Sequence, residues 1–199
     1  MPAAEFFTVF GLFVRRDVFD AGLCKSLRDE IRRSPGHAST VAEQSGDAVD
    51  DAYRRTVSAD VSAETHTLVR GRLEDLLPEL SNHFGVELTE FQPPQFLLYR
   101  EGHFFRPHAD REDDAPDYVR RRRVSAVIFL NGEGADAEPD SYSGGALTFF
   151  GLMGDARGDQ VGFPLTGEPG LLVAFPSELV HSVAPVSAGE RFTIVSWFW

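Results

Sequence analysis

The segment HFFRPHAD places His108 and Asp110 two residues apart. On an extended backbone, residues i and i+2 point to the same face, so an imidazole nitrogen and a carboxylate oxygen lie side by side. Alone, His-x-Asp reads equally as a surface histidine followed by a turn aspartate. A metal site needs a third ligand, and His181, at the start of an apolar run in FPSELVHSVAPV, is the best candidate. Two imidazoles and one carboxylate on one face of a divalent ion leave the opposite positions open, which is the donor set of non-haem Fe(II) centres.

Arg191 follows His181 by ten residues, in GERFTIVSWFW. On a strand, Arg191, Thr193, Val195 and Trp197 share one face. A guanidinium among Phe, Ile and Trp costs several kcal/mol unless an anion pairs with it. Glu190 points the other way. The partner is therefore either an acidic loop residue such as Asp155 or a ligand carboxylate held by a two-pronged hydrogen bond. A molecule with a chelating 2-oxo acid at one end and a carboxylate at the other fits three metal ligands with a cation set behind them, and 2-oxoglutarate is such a molecule. Tyr99 stands just before the His-x-Asp segment and is read as a hydrogen-bond donor to that cosubstrate, the alternative being an ordinary core tyrosine.

These residues sit among short apolar runs separated by Gly, Pro and Asp turns: QFLLYREG, RVSAVIFLNGEG, GGALTFFG, EPGLLVAFP, LVHSVAPV and RFTIVSWFW. Their length and Val/Ile/Phe/Trp content predict strands, and many short strands in succession predict a sandwich or jelly roll. Before residue 90 the texture is mostly helical. Asp20 is placed to cap a helix carrying Leu23, Leu27 and Ile31, and Ser62 to cap a second one with Leu68, Leu73, Leu76, Leu77 and Leu80 on its buried face. Pro78 is expected to break or kink that helix, and Gly85 to stop it. Phe6 to Val14 reads as a strand, residues 34–51 as a polar loop, and Tyr53 to Val57 as a short strand. The expected class is mainly β with N-terminal helices (α+β), the helices covering one outer face of the sheet. With 199 residues and no linker, the chain reads as one domain, residues 1–90 as mostly helical support and 91–199 as the core.

Nineteen basic against 31 acidic residues give a formal charge of −12, which argues against a nucleic-acid backbone or an anionic membrane surface as partner. The one cysteine, Cys24, forms no intramolecular disulfide and rules out a Cys-rich zinc site. No leader-like or membrane-spanning segment is visible, so a cytoplasmic protein is expected. Four arginines, Arg120 to Arg123, form a basic run read as a solvated strand entrance paired with Glu112, Asp113, Asp114 and Asp117. Residues 111–119 are polar enough to act as a lid. Gly144 and Gly145 suggest a tight turn or bulge. Trp197 and Trp199 are read as core packing, and His37, His66 and His83 as solvated.

The pieces LLYREGHFFRPHAD, RRVSAVIFLN, SGGALTFF, PGLLVAFPSELVHSVAPV and GERFTIVSWF cover roughly residues 93–199. In that order the chain resembles the 2-oxoglutarate- and Fe(II)-dependent oxygenases, and among them the prolyl 4-hydroxylase-like branch. The resemblance implies a double-stranded β-helix with the metal at one mouth. It implies His108, Asp110 and His181 as iron ligands, Arg191 as partner of the cosubstrate's C5 carboxylate and Tyr99 as a further cosubstrate contact. It also implies Fe(II), 2-oxoglutarate and O2, with ascorbate as an aid, and hydroxylation of an unactivated C–H with release of succinate and CO2. The substrate expected is a prolyl or other residue of a protein or peptide, with a free amino acid or small metabolite as second choice and a non-catalytic metal- or ligand-binding jelly roll as third. Two departures stand out. Phe129 occupies a position where some animal relatives carry tyrosine, so Thr193 or Ser125 is the candidate for the missing hydroxyl. Arg191 replaces a lysine common in collagen-type members. The insertion GEGADAEPDSYSGG has no counterpart, so substrate identity does not transfer.

Overall fold

The computed structural model describes residues 4–43, 46–134, 140–154 and 161–199. After a 3-10 segment at Ala4–Phe10, the strands in chain order are β1 (Phe13–Arg15), β2 (Gly36–Ala38), β3 (Val41–Glu43), β4 (Gly46–Ala48), β5 (Arg54–Arg55), β6 (Val57–Ala59), β7 (Gln95–Tyr99), β8 (Phe104–His108), β9 (Val124–Phe129), β10 (Tyr142–Gly144), β11 (Leu147–Phe149), β12 (Phe163–Leu165), β13 (Leu172–Pro176), β14 (His181–Val183), β15 (Val186–Gly189) and β16 (Arg191–Phe198). The helices are α1 (Ala21–Arg33), α2 (Ala63–Phe84) and the short α3 (Asp117–Arg120).

Seven strands form one sheet in the order β1-β13-β9-β16-β7-β6-β2, and five form a second in the order β12-β11-β14-β8-β5. Their strand pairs are antiparallel. Together they make the jelly roll, a double-stranded β-helix. Its two faces follow from the period of two along each strand. On β16, Phe192, Ile194 and Phe198 join the core that holds Leu27 and Ile31 of α1 and Val69, Leu73, Leu76 and Leu80 of α2. The alternate residues of the large sheet, among them Leu97, Tyr99, Val127 and Phe129, meet Leu147, Phe149 and Val183 of the small sheet. The helices thus cover one face of the large sheet, and the inter-sheet space lies on the other.

Both helix starts fall where the sequence puts them. The Asp20 carboxylate accepts from the Leu23 amide at 2.8 Å, and the Ser62 hydroxyl from the Thr65 amide at 3.3 Å. Gly85 ends α2 in the left-handed conformation, at φ 64. Four expectations change. Phe6 to Phe10 is helical: Phe6 and Phe10 pack on each other at 5.2 Å while Phe7 reaches Phe149 at 5.7 Å, and on a strand, at about 3.3 Å per residue, positions 6 and 10 would stand too far apart to touch. Residues 34–51 contain β2, β3 and β4; β2 is exposed throughout and carries no apolar alternation to read. Pro78 does not end α2, whose packed leucines on both sides of it hold the helix to Phe84. Leu68 is exposed, and Val69 takes the buried place instead. His66 also differs from expectation, half-buried and edge-on against Phe96; His83 is exposed as expected, with its ring edge-on to Phe13. Among the described residues no helix is long and apolar enough to cross a membrane.

Leu73 is fully enclosed between α2 and the large sheet. Leu73→Ala is expected to cost about 2–5 kcal/mol in urea denaturation; a loss below about 1 kcal/mol would show that this interface does not hold the fold.

Candidate metal centre

His108 ends β8 and His181 opens β14, and the two are direct register partners across the small sheet. That pairing brings together residues more than seventy positions apart in the chain. Asp110 lies just past the end of β8, where its amide and that of Arg111 both donate to the Ser177 carbonyl, at 2.9 and 3.0 Å. The ligand atoms of His108, Asp110 and His181 all lie within 4.8 Å of one another. Each histidine Nε2 is 3.6 Å from a different oxygen of the Asp110 carboxylate.

The tautomers are fixed by the backbone. His108 Nδ1 is 2.8 Å from the Arg106 carbonyl, and His181 Nδ1 is 2.9 Å from the Leu179 carbonyl. A carbonyl only accepts, so each Nδ1 carries the proton and donates, leaving the Nε2 lone pair aimed at the centre of the cluster. Burial alone would raise the Asp110 carboxyl, but His181 and His108 outweigh it and hold the group far below the usual carboxylate range. Burial, and then neighbouring His108, push the His181 imidazole well below its usual value. The cluster offers one carboxylate and two imidazole Nε2 atoms aimed at a common point, a donor set that fits a divalent cation.

Arg191 opens β16 beside Tyr99 in β7. Its side chain is 1% exposed. The guanidinium lies 5.0 Å from the rings of Tyr99 and Phe129 and 6.0 Å from that of Tyr142. Nη1 reaches the Thr193 hydroxyl at 3.5 Å, the Tyr142 phenol is a further polar neighbour, and among the described residues Nε and Nη2 have no hydrogen-bond partner. None of the ion pairs found among the described residues involves Arg191. Asp155, the alternative partner, lies outside those residues. Glu190 turns outward to Arg32 and Arg100, as the strand period requires. Two orphaned donors on a buried cation fit a ligand carboxylate. Arg191, Thr193, Tyr99 and the three ligand-type residues all line one cavity of about 660 Å³.

Several contributors to this site carry no sequence motif. Asn131 grips the backbone on both sides of Arg191: its Nδ2 donates to the Glu190 carbonyl at 2.7 Å and its Oδ1 accepts from the Phe192 amide at 3.0 Å. Gly145 passes so close that a Cβ would stand 3.0 Å from Arg191 Cδ, and its φ of 64 is open to glycine at little cost. The basic run divides. Arg120 pairs with Asp117 at the surface, whereas Arg122 is buried, lies 3.9 Å over the Trp197 ring and donates to the Asp110 carbonyl at 3.1 Å. Trp197 is correspondingly a cavity wall, as are Ala115, Tyr118 and Val119 of the expected lid. Of the two candidate hydroxyls, Ser125 bonds Ser177 at 2.9 Å and is not part of the cavity lining, whereas Thr193 lines it beside Arg191.

A jelly roll with this cluster in front of a buried arginine that has no ion-pair partner among the described residues has the layout of a metal- and oxo-acid-dependent oxygenase. Residues 94–199 match the family model of the 2OG-Fe(II) oxygenase superfamily, and the chain belongs to that family. A PKHD-type hydroxylase of Xylella fastidiosa (strain Temecula1) is 36% identical over 183 residues, covering 82% of this chain and 73% of the relative. A PKHD-type hydroxylase of Shewanella baltica (strain OS185) is 36% identical over 109 residues, covering 54% of this chain; the chain spans only 43% of that relative's length. Among solved structures, a prolyl-4-hydroxylase of Pseudomonas putida superimposes with a TM-score of 0.69 at 26% identity, covering 98% of this chain and 95% of that one. A Trichoplax adhaerens prolyl hydroxylase, solved with a peptide fragment of hypoxia inducible factor, has the same fold at a TM-score of 0.68 and 15% identity, over 98% and 86% of the two chains.

Arg122→Met removes the donor that holds the Asp110 carbonyl. It is expected to weaken Mn(II) binding by about 10–100-fold with little change in the denaturation midpoint; unaltered binding in a metal titration would show that Asp110 needs no such support.

Proposed function

We propose that this protein is an Fe(II)- and 2-oxoglutarate-dependent dioxygenase that hydroxylates an unactivated C–H, of a prolyl or other residue in a protein or peptide, with release of succinate and CO2. One observation carries the reading: two histidines from paired strands and an aspartate just beyond one of them converge in the same cavity as a buried arginine whose Nε and Nη2 have no partner among the described residues. Membership of the oxygenase superfamily and the likeness to the P. putida prolyl-4-hydroxylase support it.

In this reading His108 and His181, through Nε2, and Asp110, through its carboxylate, would hold the metal at the wall of the cavity. When bound, ferrous iron activates O2 and couples oxidation of 2-oxoglutarate to oxidation of the substrate C–H. The protein's own part is placement. Arg191 takes the distal carboxylate in a charge-assisted pair, and its aromatic surround keeps water from competing. Tyr99, its neighbour across the β7–β16 ladder, offers a hydroxyl to the same molecule. Leu97, Val127, Leu147, Val183 and Val195 line the cavity with apolar side chains, which keeps the reacting region dry. Farther out, Pro93, Pro94, Tyr118, Arg122 and Trp197 supply a broad, partly aromatic wall suited to a side chain presented on a peptide.

The test is succinate formation from 2-oxoglutarate with added Fe(II), screened against peptide and metabolite pools. Peptide-stimulated turnover supports the reading; metabolite-stimulated turnover corrects its substrate, and absence of even uncoupled decarboxylation overturns it. His108→Ala and Asp110→Ala should abolish iron binding and turnover while circular dichroism remains native. Arg191→Ala should raise the apparent KM for 2-oxoglutarate by about 10–100-fold, the value of losing a charged hydrogen-bonded pair; an unchanged KM contradicts the role of Arg191. Chelation should inhibit, with Fe(II) restoring activity and Zn(II) not doing so.

A further inference from the structure

The ligand-type residue His108 is backed by an aromatic ring. Phe105, earlier on β8, stacks on its imidazole with ring centroids 3.5 Å apart and planes at 19°. The guanidinium of Arg54 lies 4.7 Å over the same phenyl ring, and Arg54 is the register partner of Phe105 across the β5–β8 ladder. Arg54, Phe105 and His108 thus form one continuous series of ring contacts, reaching from an edge strand of the small sheet to the metal centre.

Arg54 is only 7% exposed, and none of the ion pairs found among the described residues involves it. Its Nη1 donates to the Thr40 carbonyl at 2.9 Å, Nε has no acceptor among the described residues, and the Tyr99 phenol and Asp110 are its polar neighbours on the site side. Burying a guanidinium in this way costs several kcal/mol that an aliphatic residue would avoid. Filling space is therefore a poor account of its presence. Arginine has donors and no acceptor. Toward Tyr99 it can only donate, so the phenol oxygen accepts and the phenol's own proton is left for another partner. Tyr99 lines the cavity, and the partner available there is a bound ligand.

We propose that Arg54 is a positioning residue of the metal centre: it presses Phe105 against the His108 imidazole and turns the Tyr99 hydroxyl proton toward the cosubstrate. This rests on the reading of the site as metal- and 2-oxoglutarate-binding. Arg54 comes from the N-terminal half, so the segment before the jelly-roll core contributes to the site as well as supporting it.

Arg54→Met, Tyr99→Phe and the double variant separate the idea from a general structural role. Mn(II) affinity is read by electron paramagnetic resonance, 2-oxoglutarate affinity of the Mn(II)-loaded protein by calorimetry, and folding by urea denaturation. Arg54→Met should weaken Mn(II) and 2-oxoglutarate binding by about tenfold each. In the Tyr99→Phe background it should add little further loss of 2-oxoglutarate affinity, because Arg54 acts on that ligand through the phenol. Arg54→Lys, which keeps a cation and a donor, should recover part of both affinities, and it carries the same cycle if Arg54→Met does not fold. Wild-type affinities in Arg54→Met, or fully additive losses with Tyr99→Phe, overturn the proposal. Failure of the wild-type protein to bind Mn(II) or 2-oxoglutarate overturns the underlying reading of the site instead.

Discussion

A positive charge buried with no negative one beside it among the described residues is the constraint around which this molecule is arranged. Arg191 sits among Tyr99, Phe129 and Tyr142 with two donors unsatisfied. Such an arrangement persists only if the surrounding structure holds it and a ligand rewards it. The holding is visible. Asn131 fixes the backbone on either side, Gly145 leaves room for the aliphatic stem, and the outward partners of Glu190 keep the strand from turning over.

The same strand connects the site to the stability of the whole fold. Along β16, one set of alternate residues is sealed under the helices and the other faces the inter-sheet cavity. A one-residue slip of register would put Phe192 in the cavity and Arg191 under α1, at a cost the fold could not meet. Packing of the helices therefore sets where the guanidinium points. On the facing sheet, the β8–β14 ladder does the same for the two histidines, and hydrogen bonds to the Ser177 carbonyl bring Asp110 to them. At the edge strand β5 a second buried cation, Arg54, reaches the centre through the Phe105 ring.

Much of this was legible in the residues. The period of two in RFTIVSWFW placed Arg191, Thr193, Val195 and Trp197 on one face and Glu190 on the other, and the strand follows it. His-x-Asp and the distant His181 were readable as possible ligands because their chemistry narrows the choices so strongly. Other features were not legible. The 3-10 segment at Ala4–Phe10 depends on contacts with Phe149 and Phe163, which no local pattern announces. The exposed strand β2 has no buried face to print a pattern. Arg122 looked like its neighbours in a basic run, yet only it folds inward, because only its position meets Trp197 and the Asp110 carbonyl. Asn131 and Arg54 act through backbone carbonyls, amides and a phenyl ring, partners that sequence spacing does not encode.

The most direct test of the central claim is a crystal structure of the protein soaked with Mn(II) and 2-oxoglutarate, with the metal located by anomalous scattering. The account predicts one metal held by Nε2 of His108, Nε2 of His181 and the Asp110 carboxylate, with the far carboxylate of the oxo acid on the Arg191 guanidinium. A metal bound elsewhere, or an oxo acid whose far carboxylate lies away from Arg191, would contradict it.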